Sequence, residues 1–206
     1  MYKIKILRLY IFSVLVGLNT IMAQETDLIT SSEEFQNELN KEYANPEESP
    51  LEEKDLNNFE GLEFFEINLE YIVKAEFIRT PAEAPFAMRT SKDEMPVYVK
   101  YGELYFELKG EDFRLNLYQN QELTQDPEYF DYLFLPFTDN TNGESSYGGG
   151  RYIDFRIPES KEVILDFNKA YNPYCAYSGK YSCPIPPKEN DLDIEILAGV
   201  KAFNNH

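Results

Sequence analysis

From Leu62 onward apolar residues recur at every second position, and the segments that carry them end at Gly, Pro, Asp or Asn. A helix cannot gather that rhythm on one face, whereas a β-strand does so automatically, because its successive side chains alternate across the sheet. Val97, Val99 and Tyr101 form one such stripe, Leu104, Phe106 and Leu108 a second, and Phe113, Leu115 and Leu117 a third. Strands are therefore expected near Glu63 to Ile78, Ala84 to Thr90, Pro96 to Tyr101, Leu104 to Lys109, Phe113 to Gln119, Tyr129 to Phe137, Arg151 to Ile157, Val163 to Phe167 and Leu192 to Leu197. Turns are expected at Tyr101-Gly102-Glu103, at Lys109 to Asp112 and at Pro158 to Lys161. About nine strands with no long helix between them point to a mainly β, single antiparallel domain, barrel or sandwich-like, and away from a parallel α/β sheet.

The N-terminus has a different grammar. Lys3, Lys5 and Arg8 precede an apolar run from Leu9 to Ala23 that is too short and mixed to span a bilayer, the pattern of a signal peptide over residues 1–23 cleaved near Ala23. Export to the periplasm or the medium follows, with no stable membrane span after cleavage. Residues 24–57 read as an acidic helical appendage. Ser31 and Glu34 suit a capping box ahead of Phe35, Leu39 and Tyr43, and the stripe stops at Asn45-Pro46. A second short start falls at Ser49-Pro50. On this reading the β domain covers residues 58–206, and a chain begun near Ser49 still folds.

Charge and composition then remove whole classes of function. The net charge is −18, and the leader cations make the remainder more acidic still, so phosphate backbones and anionic lipid surfaces are repelled and nucleic acid is not an expected partner. The only histidine is the terminal His206, which no fold could hold in catalytic register. Histidine-dependent hydrolases and histidine-ligated zinc or haem are thereby excluded. An enzyme built on this chain would have to use carboxylate, tyrosine, lysine, arginine or a bound cofactor, and the sequence names neither a cofactor nor an oligomeric state.

The densest run of backbone-specifying residues lies between Phe134 and Gly199: FLPFTDNTNGESSYGGGRYIDF, then ILDFNKAYNPYCAYSGKYSCPIPPKEN, then DLDIEILAG. This pattern resembles the bacterial proteins catalogued as domain of unknown function 1684, over about Ser49 to Phe203. The resemblance carries no established activity. It covers Asp139 and Thr141 as well, which implies a place for them beside any pocket in this region.

Within that run, a short loop at Pro158 to Lys161 suggests a hairpin from Arg151 to Phe167. Pairing Ile157 with Glu162 would set Ile153 opposite Asp166 and Arg151 opposite Asn168, with Arg151 and Asp166 diagonal neighbours at roughly 7 to 8 Å. The expected candidate site is therefore Gly148, Gly149, Gly150, Arg151, Asp166 and Asn168. As a pocket it would hold a small anionic ligand, the glycines admitting the ligand to the backbone and Arg151 supplying a planar fork. As an enzyme site, Asp166 is the candidate catalytic general base and Arg151 stabilises developing negative charge. The remaining alternatives are a buried Arg151–Asp166 ion pair, in which the signature is scaffolding in a structural or interaction protein, and a flavin phosphate site suggested by fold analogy alone.

Three further features invite chemistry. Asp139, Thr141, Asn142 and Glu144 are suggestive of a calcium loop, but their spacing does not fit an EF-hand and an Asx turn suits them better, so no metal is expected. Cys175 and Cys183 read first as a disulfide in an exported protein, with a reduced pair in a redox or ligand role as the alternative. Tyr147, Tyr152, Tyr171, Tyr174, Tyr177 and Tyr181 could stack on a sugar or flavin ring. Without tryptophan they are more ordinary as core anchors. The proline-stiffened loop from Asn172 to Asn190 is expected to act as a lid.

Overall fold

The computed structural model describes the backbone of residues 2–203 and the side chains from residue 22 onward; the expected leader lies almost wholly outside the described side chains, and His206 outside the described residues. Helix α1 runs Tyr2–Ala44 and a single turn, α2, spans Glu53–Leu56. Eight strands follow: β1 Ile72–Arg79, β2 Phe86–Ala87, β3 Val97–Leu108, β4 Glu111–Asn120, β5 Tyr132–Asp139, β6 Arg151–Arg156, β7 Glu162–Asp166 and β8 Asp191–Leu192. They form one sheet in the order β6-β5-β4-β3-β1-β7, with β2 attached to β3 and β8 to β5. All pairings are antiparallel except that of β5 with β8, and the sheet curls into a half-barrel. Among the described residues no helix is long and apolar enough to cross a membrane.

The alternation read from the sequence builds the concave face. Leu104, Phe106 and Leu108 of β3, Leu115 and Leu117 of β4, Leu133, Leu135 and Phe137 of β5, Ile153 of β6 and Leu165 of β7 share one buried cluster. Each such side chain contributes roughly 1.5–3 kcal/mol by leaving water. The Lys109-Gly110 turn joins β3 to β4 through two residues, both at positive φ as a primed hairpin turn requires.

Gly102 does not make a turn. The two stripes expected as separate strands are one strand, β3, with a bulge between Lys100 and Gly102. A Cβ at Gly102 would lie 2.3 Å from the Phe77 ring and 2.8 Å from the Ile78 carbonyl oxygen, so this glycine exists to let β1 approach.

The expected hairpin from Arg151 to Phe167 is also absent. β6 pairs with β5, placing Arg151 opposite Phe137 and Ile153 opposite Leu135. β7 pairs with β1, placing Asp166 opposite Ile72. The link through Pro158 carries the chain from one end of the sheet to the other, and turn residues alone cannot distinguish such a link from a hairpin loop.

Helix α1 crosses the opening between those two ends. Leu28 and Ser31 of α1, Ile153 and Phe155 of β6 and Ile164 of β7 line a common cavity of about 330 Å³. Ser32, fully buried, donates to Asp166 Oδ2 at 2.7 Å, and Gln36 donates to the Asn168 carbonyl at 3.0 Å. No new helix starts at Ser31: α1 runs through it as one continuous helix, because residues 24–31 contain neither Pro nor Gly to break it. The stop at Asn45-Pro46 is as expected.

The segment 24–57 is more than a tether. Tyr43 is fully buried and packs with Leu51, Leu62, Ala176, Tyr177 and Val200 as a second core, and Asn40 accepts the Leu62 N–H at 2.7 Å. A chain begun at Ser49 would lose Tyr43 and Leu39 from that core, so the packing argues against its dispensability.

Candidate functional site

The Gly-Gly-Gly-Arg signature is built inward. Gly150 sits at φ +88°, and a Cβ there would stand 2.6 Å from the Phe137 carbonyl oxygen, so the connection from β5 to β6 closes only with glycine. Arg151 then enters the core with no exposed surface. Its Nη2 donates to Asp139 Oδ2 and to the Ile196 carbonyl, both at 2.8 Å, and its Nη1 donates to the Ala198 carbonyl. Burial pulls the guanidinium below its ordinary pKa, and the Asp139 carboxylate opposes that pull. Asp139 is equally committed, its Oδ1 accepting from the Thr141 N–H at 2.9 Å, the Thr141 hydroxyl at 2.6 Å and the Ile196 N–H at 3.2 Å. The bond from the Thr141 N–H is the Asx turn expected for this loop. Arg151 and Asp139 therefore clamp the chain after β8 against the end of β5.

Asp166 and Asn168 stand together as expected, but with other partners. Asp166 Oδ1 accepts the backbone and side-chain N–H groups of Asn168, each at 2.9 Å, and caps the turn Phe167–Lys169. Asn168 exchanges a donor and an acceptor with the backbone of Asn68, at 3.1 and 3.0 Å. The expected joining of Arg151 to Asp166 and Asn168 is thus corrected. It relied on a β6 to β7 pairing, and these strands lie at opposite ends of the sheet order.

The open site lies on the face of the sheet opposite the main core. Tyr98 of β3, Tyr132 and Phe134 of β5, Tyr152 and Asp154 of β6, Tyr171, Tyr174 and Tyr181 of the proline-rich loop, and Phe35, Leu39 and Glu42 of α1 line a cleft of about 420 Å³. Two features orient its polar groups. Tyr132 and Tyr171 both donate to Asp154 Oδ1 at 2.6 Å, and Tyr174 donates to Glu42 Oε1 at 2.7 Å. Burial raises the pKa of Tyr132, Tyr152, Tyr171 and Tyr174, the nearby carboxylates adding to it for Tyr132, Tyr171 and Tyr174, so these phenols stay protonated donors at neutral pH. The rings meet edge to face, Phe134 with Tyr152 at 4.6 Å and Tyr152 with Tyr171 at 5.9 Å, which fixes the floor.

Of the tyrosines considered for ring stacking, Tyr152, Tyr171, Tyr174 and Tyr181 reach this cleft, while Tyr177 belongs to the second core and Tyr147 stands at Cys175. Sequence reasoning missed Tyr98, Tyr132, Glu42 and above all Asp154. The available signal was a carboxylate between Ile153 and Phe155, which looks like any solvent-facing position of a strand. The expected lid is only partly one. Residues from Tyr171 to Pro184 wall the cleft, but Asn190 is buried elsewhere, its amide bonding the backbone of Asn116 and the Pro136 carbonyl where β4 and β5 share only the Tyr118 to Phe134 pair.

Cys183 forms part of the cleft wall, and the Cys175 N–H donates to its Sγ at 3.0 Å; both residues are free thiols in this structure. The hydrogen bond from the Cys183 thiol brings the Cys175 pKa down to about 6 against the effect of burial, while Cys183 is pushed up.

Comparison with known proteins adds a family and a fold. The profile of the family described as "Protein of unknown function (DUF1684)" matches residues 57–201. A solution NMR structure of an uncharacterised protein from Haloarcula marismortui is similar with a TM-score of 0.69 at 30% identity, covering 89% of this chain and 99% of that one. No curated protein matches the chain.

Proposed function

The chain belongs to the DUF1684 family, and from that premise we propose that it is a binding module for a small organic cation carrying apolar groups, held in the tyrosine cleft. The observation that carries the reading is the lining itself. The cleft is walled by six tyrosines, its carboxylates are Asp154 and Glu42, and its lining contains no lysine or arginine. Its volume of about 420 Å³ lies within the range of small-molecule sites. A cation over a tyrosine face gains roughly 0.5–2 kcal/mol, more as the site dries, and a carboxylate at the floor adds Coulomb attraction. The Lys180 ammonium stands 4.8 Å from the Tyr181 ring centroid, so one ring of the lining already takes a cation. The overall charge of −18 further favours cations at the encounter step.

An anionic ligand at Arg151 finds less support, because three protein acceptors already occupy that guanidinium. A carboxylate enzyme built on Asp166 and Arg151 loses support for the same reason. Export stays part of the proposal on the strength of the sequence leader, with Gln24 as the first residue after cleavage; the N-terminal mass of the protein recovered outside the cytoplasm tests it.

Titration of tyrosine fluorescence with choline and with its neutral isostere 3,3-dimethylbutanol tests the binding. Choline should bind at least tenfold more tightly, and Asp154→Asn should remove the difference. Equal binding of the two probes, or none of either, would sink the proposal.

A further inference from the structure

Cys183 lines the cleft and Cys175 does not, and the chemistry of the pair needs no ligand in the cleft. Cys175 sits in the turn Tyr174–Ala176, fixed by backbone bonds from Ala176 to Pro173 at 2.9 Å and from Tyr177 to Tyr174 at 3.0 Å. Cys183 is held from the other side, its N–H donating to Ser91 Oγ at 3.1 Å and its carbonyl accepting the Ser91 N–H at 2.8 Å. Both backbones are thus anchored while the Cys175 N–H already touches the partner sulfur, so joining the thiols requires side-chain rotation rather than chain rearrangement. The two residues also differ. Cys175 is half-buried and Cys183 is 6% exposed, so an external reagent meets Cys175 first.

We propose that Cys175 and Cys183 form a redox-active dithiol that exchanges with small-molecule disulfides, Cys175 attacking and Cys183 resolving. In the first step the Cys175 thiolate attacks one sulfur of RS–SR, forming a Cys175–SR bond and expelling RS⁻. In the second, the Cys183 thiol gives up its proton, its sulfur attacks Cys175, and the second RS⁻ leaves. The net result is an intramolecular disulfide and two molecules of RSH: the dithiol is oxidised by two electrons and the small disulfide reduced by two. The groups facing the pair are compatible with this order. The Tyr147 hydroxyl lies 3.8 Å from Cys175 Sγ, and burial holds that phenol at about 12, so it remains a donor to the thiolate; the Tyr152 phenol is likewise protonated, and Lys92 supplies the nearby positive charge. A thiol with its pKa near 6 is largely thiolate at neutral pH, where an ordinary cysteine is not.

The test is reaction of the reduced full chain with oxidised glutathione at neutral pH, followed by intact mass and by released glutathione thiol. The expected product is lighter by two hydrogens, with two glutathione thiols released per chain, and excess reduced glutathione reopens it. Cys183→Ser should accumulate a single glutathione adduct on Cys175, and Cys175→Ser should react at least tenfold more slowly than the unaltered chain. Adducts on both cysteines, no reaction, equal rates for the two variants, or a bond that reduced glutathione cannot reopen would each overturn the proposal. The unaltered chain decides the main point even if a variant misfolds, and no outcome depends on what the tyrosine cleft binds.

Discussion

Asp139 and Asp154 lie on the adjacent strands β5 and β6, and each collects short hydrogen bonds from neighbouring side chains, yet they do opposite work. Asp139 is 5% exposed and has both oxygens saturated, one by Arg151 and one by Thr141 and the Ile196 N–H. Asp154 is exposed, takes both tyrosine hydroxyls on Oδ1, and among the described residues receives no donor on Oδ2. A carboxylate whose acceptors are all used inside the protein can only hold structure. One that keeps an oxygen facing a cleft can still meet a ligand. The Gly-Gly-Gly-Arg part of the dense signature is therefore scaffold, whereas the proposed site takes Asp154 and four of its tyrosines from other positions of the same run.

The largest effect that could break this contrast is loss of the buried pair. Asp139→Ala leaves the Arg151 charge unpaired in the core and should cost roughly 3–5 kcal/mol in denaturant unfolding. A loss below about 1 kcal/mol would show that Arg151 is not the clamp described above. Next in size, Tyr43→Ala should cost roughly 3 kcal/mol by opening a cavity in the second core, and a chain begun at Ser49 should lose its cooperative melt. An undiminished melt would return α1 to the status of an appendage.

A third test separates the regions by pH. Tyr132, Tyr152 and Tyr171 have folded pKa values above the ordinary 10.0, so in alkali the unfolded chain loses phenolic protons that the folded chain keeps. The stability they contribute is complete below pH 10.0 and is lost as pH rises above it, by up to about 1.4 kcal/mol per pH unit for each phenol. Tyr152→Phe should flatten that slope, whereas Asp139→Ala should leave it intact. The smallest stability effect belongs to Asp154→Asn, expected within about 1 kcal/mol of the unaltered chain because the carboxylate is exposed, although it should abolish the preference for choline.

Period-two alternation placed the inward faces of the central strands, because burial on one side of a sheet imposes it locally: Leu104, Phe106 and Leu108 point inward as read. In the expected stripe of Val97, Val99 and Tyr101, however, it is the intervening Tyr98 that is buried while Val97 is exposed, and the strand expected from Leu192 to Leu197 stops at Leu192. The Lys109-Gly110 turn, the Asx turn at Asp139 and the helix stop at Asn45-Pro46 were legible for the same reason, each being a property of neighbouring residues. Strand order was not. Gly102 and Pro158 carry the composition of turns, but whether a glycine bends the chain or admits a neighbour, and which sheet end the next strand joins, depends on residues far away in sequence. The same limit hid the site. Asp154 draws its meaning from Tyr132 and Tyr171, 22 and 17 positions distant, and Asp166 from Ser32, 134 positions away. The sequence by itself determined the β class, the buried faces of the central strands and the excess of negative charge, since these follow from local sterics, periodicity and composition. Only the tertiary structure decided which carboxylate is sealed and which is open, because that depends on which distant donors the folded chain brings to each oxygen and whether water can still reach it.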